Sequence, residues 1–285
     1  MLLDARARAP HRPLSDSGSP PMTTNLLAIE TAFDRCSVAL SRSGSVQAVE
    51  HPASRVHAEQ LAPMIASLLS ASEIDPEAID VVALSEGPGS YTGLRIGAST
   101  AKGLCFGNGA SLVAVPTLEA LAYTAFGSAV DERDVVDPGV VVVAVRARAS
   151  DIWWTAYRAA RTQSGISLTL VENDSGSTVA LSPVAEAAFA VAPLDAHQIY
   201  LTGNASAALA DSIRSIAAVE TERIAPLDSE TALSSRPPLA HAVAVLGAQR
   251  FLAGETVPYA DFEPAYLKQP VARIPKRSIF PDLQN

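Results

Sequence analysis

SEGPGSYTGLRIGAST (residues 85–100) follows the apolar run VVALS (Val81–Ser85) and opens into a stretch of small residues. Gly87 and Gly89 permit backbone angles closed to other residues, and Ser90 or Thr92 can cap a helix that starts here. Free amides at a helix start attract anions, and Arg95 falls within its first turn or so. A P-loop needs a Lys after its second glycine at fixed spacing, but Gly87 and Gly93 stand one residue too far apart and no Lys follows. A dinucleotide fingerprint needs G-x-G-x-x-G in an early strand–turn–helix unit; Gly87-Pro88-Gly89 is followed instead by Ser90-Tyr91-Thr92. Two readings stay open. One is an anion or nucleotide loop built from Gly87, Gly89, Ser90, Thr92, Gly93 and Arg95. The other is a tight turn that starts a closely packed helix, whose small residues Gly97, Ala98, Ala101 and Gly103 let neighbours approach.

Upstream of this loop lie three β-like runs, Leu26–Glu30, Cys36–Ser41 and Val46–Glu50, with short gaps between them. They read as an antiparallel meander. Residues 57–72 then place Leu61, Ile65, Leu68 and Leu69 on one helical face. Pro63 has no amide hydrogen, so that helix should begin only about a turn before it or kink there. Downstream come a strand at Ser111–Val115 and a helix from Thr117 to about Phe126, with Thr117 as its expected cap. The second half repeats the order: runs at Val140–Arg146, Asp151–Arg158 and Ile166–Glu172, a helix near Pro183–Val191, a strand at Ile199–Thr202 and a helix from about Ala205. Residues 220–238 read as a connection, and Leu239–Gly254 as a late amphipathic helix. A repeated β-β-β-α-β-α unit implies two lobes built alike, each a mixed sheet with packed helices. This is the plan of the actin-like ATPase and sugar-kinase (ASKHA) α/β fold.

The expected organisation is therefore a first lobe over residues 22–126, with the helix at 238–254 packing back on it, and a degenerate second lobe over 127–237. Residues 1–21 are rich in Arg, Pro and Ser and read as a disordered tail or a misassigned start ahead of Met22; residues 255–285 form a C-terminal tail. The formal net charge of −9 argues against autonomous nucleic-acid binding, which needs a basic surface. Lys268, Arg273, Lys276 and Arg277 in the tail are weak support for contact with nucleic acid. The longest apolar run, Gly139–Val145, is too short to span a bilayer. Cys36 and Cys105 read as buried free thiols of a cytoplasmic protein.

LLAIETAFDRCSVAL (Leu26–Leu40), HAEQLAPMI (His57–Ile65), GPGSYTGLRIG (Gly87–Gly97), AKGL (Ala101–Leu104), VPTLEALA (Val115–Ala122) and EPAYLK (Glu263–Lys268) together resemble the bacterial tRNA threonylcarbamoyladenosine biosynthesis proteins of the TsaB, or YeaZ, family. The resemblance is close from Leu26 to about Ala122, loose in the middle and lacking over residues 1–21. It implies a required, non-catalytic subunit in modifying the adenosine beside the anticodon of certain tRNAs. Its partners would be a TsaD-like catalytic subunit and a TsaE-like ATPase, with a homodimer as the alternative pairing and tRNA met only through the complex. It implies no cofactor of its own, leaving open ATP at the partner interface. It also implies pairing through the helices after the meander and after the glycine loop. Val56, His57, Leu61 and Ile65 on the first, and Leu94, Gly97, Ala98 and Ala101 on the second, are the expected interface residues. On this view Ala101→Arg should weaken binding and leave the fold intact. The chain departs from the family at Glu30-Thr31, where Asp-Thr is usual, at Ala58, where Ser is common, and at Arg146-Ala147-Arg148, where many members have Asp-Ala-Arg.

No pair among His11, His51, His57, His197 and His241 has the H-x-x-x-H spacing that metal-assisted transfer in TsaD-like relatives would use. No metal ligand and no catalytic residue is therefore expected. The competing function is a stand-alone actin-like kinase or ATPase. It would need Glu30 and Asp34 as a carboxylate pair, and Glu30 and Thr31 beside the glycine loop. Against it, the first loop lacks a glycine, and Arg146 stands where an acid would help hold magnesium.

Overall fold

Two five-stranded sheets repeat one strand order. The computed structural model describes residues 24–53, 55–129, 136–147, 152–162, 165–173, 199–216, 224–226 and 236–265. The first sheet runs β3 (Ser45–Glu50), β2 (Ser37–Arg42), β1 (Asn25–Glu30), β4 (Val81–Gly87), β5 (Ser111–Pro116). The second runs β8 (Gly165–Asn173), β7 (Ile152–Thr162), β6 (Val136–Arg146), β9 (Ile199–Thr202), β10 (Ile224–Pro226). In each, an antiparallel meander supplies three strands and its first strand pairs in parallel with the next. This is the duplicated ASKHA plan. β10 lies inside the expected 220–238 connection; three residues are too few to show a period, and its pairing with β9 defines it.

Among the described residues the helices are α1 (His57–Ala71), α2 (Tyr91–Asn108), α3 (Thr117–Ala129), α4 (Ser206–Ile216) and α5 (Leu239–Leu252). Strand side chains alternate faces. Leu27 and Ile29 of β1 therefore join the core under α1 and α2, while Leu26 and Ala28 face α5. On the α5 side the sheet presents small residues, and a Cβ added to Gly247 would come 2.5 Å from that of Ala83. In β6, Val140, Val142 and Ala144 pack with α4, and Val141, Val143 and Val145 pack with α3.

α3 belongs to both lobes. Its Ala120 lies in the core shared with α5, while Leu118, Ala122 and Phe126 lie against the second sheet. Phe126 meets Tyr200 edge to face at 5.5 Å, and Glu119 pairs with Arg250 of α5 at 2.6 Å.

Two local expectations change. α1 starts at His57, earlier than Pro63 suggested, and carries Pro63 within it on the exposed side, where water can serve the carbonyl that loses its partner. Thr117 is buried and turns its hydroxyl to the Gly87 amide at 3.0 Å, tying α3 to the glycine loop. The helix expected near Pro183–Val191, both tails as far as residue 23 and from residue 266, and His11, His197, Arg148, Lys268, Arg273, Lys276 and Arg277 lie outside the described residues.

Candidate functional site

The C-terminal edge of parallel strands, where helices begin, is where this class of sheet receives ligands. Here β1 ends in Glu30, beside Ser85 of β4. Glu30 is 2% exposed, Thr31 and Ser85 are buried, and one Glu30 carboxylate oxygen accepts the Ala32 N–H at 2.6 Å. The turn thus formed lies on the glycine loop. The Ala32 carbonyl accepts the Ser90 N–H at 2.7 Å. Ser90 is the cap of α2: its hydroxyl accepts the Gly93 N–H at 3.3 Å, whereas Thr92 is exposed.

The glycines are needed because the chain's own backbone comes close. A Cβ at Gly89 would sit 2.5 Å from the Ala32 carbonyl oxygen, one at Gly93 would strike the Thr31 carbonyl, and one at Gly97 the Thr31 hydroxyl. Gly87 has φ +121°, and a Cβ there would lie 2.8 Å from the Ala265 carbonyl oxygen. Ala265 donates its N–H to the Glu86 carbonyl at 2.8 Å, which holds its backbone against the loop.

Burial dominates the electrostatics. It pushes the Glu30 carboxyl up to about 8, with the Glu50 charge adding to the effect and the Ala32 amide opposing it. The Ser85 hydroxyl also favours the charged form without completing a hydrogen bond. Glu86 is raised by burial too, against the pull of Arg250. Burial raises the Cys36 thiol to about 11 and the Cys105 thiol to about 12, which makes both poor nucleophiles.

The carboxylate pair that the kinase or ATPase reading would need does not form. Asp34 is exposed and lies 3.7 Å from Arg55, while Glu30 points inward. Between them, Phe33 reaches the core that α3 makes with the second sheet. Sequence reasoning missed Phe33; an aromatic in an otherwise turn-like stretch was its signal. At the matching edge of the second lobe, the Ala144 carbonyl accepts the Ala205 N–H at 3.1 Å, and a Cβ at Gly203 would strike it. Arg146 is exposed, and its backbone N–H donates to the Asn204 side-chain oxygen at 2.7 Å.

The expected interface residues divide. Leu61, Ile65, Leu94, Gly97, Ala98 and Ala101 are buried, most of them in the lobe's own core; Ala101 is 0% exposed. These side chains cover the sheet, so Ala101→Arg would put a guanidinium into the core and would not leave the fold intact. Val56 is half-buried, and His57 is buried with Nε2 lacking a hydrogen-bond partner. The outward faces of the same helices carry Ala58, Ala62, Ala66 and Ser70 on α1 and Ser99, Gly103 and Phe106 on α2. Phe106 is 67% exposed. Arg95 is exposed and meets Tyr91, donating to its hydroxyl at 2.8 Å with the guanidinium 5.4 Å from the ring centroid.

Among the described residues no group of three or more His, Cys, Asp or Glu is placed to hold a metal ion, and no helix is long and apolar enough to cross a membrane. His51 follows β3 and His57 opens α1.

The family model for tRNA N6-adenosine threonylcarbamoyltransferase matches residues 48–276. The tRNA threonylcarbamoyladenosine biosynthesis protein TsaB of Escherichia coli K12 is 35% identical over 141 residues, 50% of this chain and 57% of that one. TsaB of Haemophilus influenzae is 35% identical over 130 residues, 46% of this chain and 52% of that one. The chain thus spans about half the length of the curated relatives it matches. Among solved structures, YeaZ from Pseudomonas aeruginosa superposes with a TM-score of 0.65 at 26% identity, covering 85% of this chain and 99% of that one. With both sheets, the glycine loop and the matched segments in agreement, the chain belongs to the threonylcarbamoyltransferase family, in its TsaB (YeaZ) branch.

Proposed function

We propose that the chain is a non-catalytic subunit in the threonylcarbamoylation of the adenosine next to the anticodon in tRNA. It binds and supports a TsaD-like catalytic subunit, together with a TsaE-like ATPase, and meets tRNA through that complex. The observation that carries this reading is the occupied glycine loop. The backbone of Thr31, Ala32 and Ala265 stands where a phosphate would need the glycines, and Phe33 bridges from that loop to the second lobe. A loop filled by its own chain serves to place the first turn of α2. The docking face is then the outward side of α1 and α2, whose small residues suit close helix packing. A stable contact of this kind buries about 1,200–2,000 Å² in total.

The deciding experiment is threonylcarbamoyl transfer to tRNA by the cognate catalytic subunit and ATPase, with and without this chain. Incorporation only when it is present is the expected result; incorporation indifferent to it would overturn the subunit role. The competing kinase or ATPase reading draws on Glu30, a carboxyl at the end of a parallel strand. It requires magnesium-dependent turnover by the pure chain that Glu30→Ala abolishes.

A further inference from the structure

The chain leaves α5 on one side of the first sheet and crosses to the other. Gly254, at φ +79°, turns it out of the helix, and the Glu255 N–H donates to the Arg250 carbonyl at 2.9 Å. Residues 255–265 then pass the edge of β5, which ends the strand order of that sheet. The Val257 N–H donates to the Leu112 carbonyl at 2.9 Å, making an isolated antiparallel bridge with that strand. An edge strand leaves backbone groups without partners, and this bridge serves one of them. Beyond the edge, Val257 and Tyr259 pack against the core under α1 and α2, and Phe262 lies within it at 8% exposure. The Pro258 carbonyl accepts the Phe262 N–H at 3.1 Å, closing the turn that brings Phe262 to that core. Lys102 of α2 donates to the Ala260 carbonyl at 3.2 Å. Pro264 is buried, and the next residue, Ala265, reaches the glycine loop.

Ala265 meets an irregular point of β4. The register with β5 shifts between Ser85 and Gly87, and a residue at such a shift loses its ladder partner. The Glu86 carbonyl takes the Ala265 N–H instead, at 2.8 Å. Gly87 is boxed in. Its N–H donates to the Thr117 hydroxyl at 3.0 Å, and a Cβ on it would lie 2.8 Å from the Ala265 carbonyl oxygen and 3.3 Å from Leu94 Cδ1 of α2. The loop is thus held at Glu86–Gly87 by residue 265 and α3, and at Ser90 by the Ala32 carbonyl, directly before α2 starts. We infer that residues 255–265 are a strap that positions the docking helix, with Phe262 as its anchor and Ala265 as its hold on the glycine loop. The docking role rests on the function proposed above; the grip on the loop does not. One backbone hydrogen bond is worth less than the entropy of ordering the residues that carry it. The Ala265 contact therefore stands because burial of Phe262 has already fixed the chain beside it. Phe262 acts on the loop through Ala265 and is a positioning residue.

Amide hydrogen exchange on the full chain and three variants tests this. Phe262→Ala should speed exchange at Val257, Ala265, Gly87 and Leu94 by at least about tenfold and leave Val141–Val143 of the second sheet unchanged. Phe262→Leu, which refills the core, should restore most of that protection. Ala265→Pro removes the donor to Glu86 and should loosen Gly87 and Leu94 while Val257 keeps its protection. Loop amides indifferent to Phe262→Ala or to Ala265→Pro, or an equal acceleration at Val141–Val143, would each overturn the strap. If Phe262→Ala does not fold, Ala265→Pro decides. Titration of the same variants into the proposed TsaD-like partner reads the docking role: Kd should rise at least about tenfold in Phe262→Ala and Ala265→Pro and recover in Phe262→Leu. A loosened loop with an unchanged Kd overturns the positioning of the docking helix. No binding by the wild-type chain overturns the subunit role instead, and the exchange data, taken without a partner, still decide the grip on the loop.

Discussion

The two lobes close the same contact with different chemistry. In the first, the Ala32 carbonyl at the end of the β1 turn receives the Ser90 N–H, and glycines beneath it leave room for the backbone. In the second, the Ala144 carbonyl of β6 receives the Ala205 N–H above Gly203. The backbone arrangement is duplicated; what secures it is not. A buried acid holds the first turn, whereas the exposed Arg146 N–H and the neutral Asn204 amide hold the second. An amide cannot titrate, so only the first contact can respond to pH. The comparison shows that duplication retains the backbone approach that the fold requires and leaves the side-chain chemistry beside it free to diverge.

Four tests would break or sharpen this comparison. The largest effect is expected for Ala101→Arg in the first lobe, where burying an unpaired guanidinium costs on the order of 5 kcal/mol; urea unfolding should find little or no folded protein. Next, Gly93→Ala and Gly203→Ala each push a Cβ into a backbone carbonyl and should lose about 1–3 kcal/mol. Gly203 should lose the more of the two, because its φ of +98° adds strain. Equal losses in denaturant midpoints would mean the two contacts are energetically alike.

The third test separates their chemistry. Glu30→Gln should gain stability over wild type by up to about 1.4 kcal/mol for each pH unit between about 4.5 and 8. The sign follows from the raised pKa: the folded wild-type chain retains a proton that the unfolded chain has released, so its stability falls as pH rises through that window. Asn204→Ala should lose about 1 kcal/mol at every pH. Melting curves at pH 5 and pH 8 distinguish the slopes. The smallest effect on folding is expected for Ala66→Arg on the outward face of α1. Its stability should stay within about 0.5 kcal/mol of wild type, while affinity for the proposed TsaD-like partner, followed by titration calorimetry, should fall at least about tenfold. Undiminished affinity would remove α1 from the proposed docking face.

The sequence by itself determined both meanders, the strands Val81–Ser85 and Ser111–Val115, the repeated order of strands and a hydroxyl cap for α2 at Ser90 or Thr92, between which the structure chose Ser90. Each is written in short-range patterns: continuous apolar runs in β1 and β6, a hydroxyl just ahead of a helix, punctuation by Gly and Pro. Tertiary structure decided which face of α2 turns inward. Leu94, Ala98 and Ala101 cover the sheet, and Ser99, Gly103 and Phe106 look out; with small residues on both sides of the helix, its own period could not choose. It also decided what fills the glycine loop. Glycines in a sequence mark a place where something comes close, and whether that is a ligand or the chain itself depends on residues far away. Here Thr31, Ala32 and Ala265 make the approach, and no local pattern around Gly87–Gly97 carries them. The same holds for Glu30: its residue type is plain in the sequence, but its state follows from the dry pocket that distant strands and a helix assemble around it.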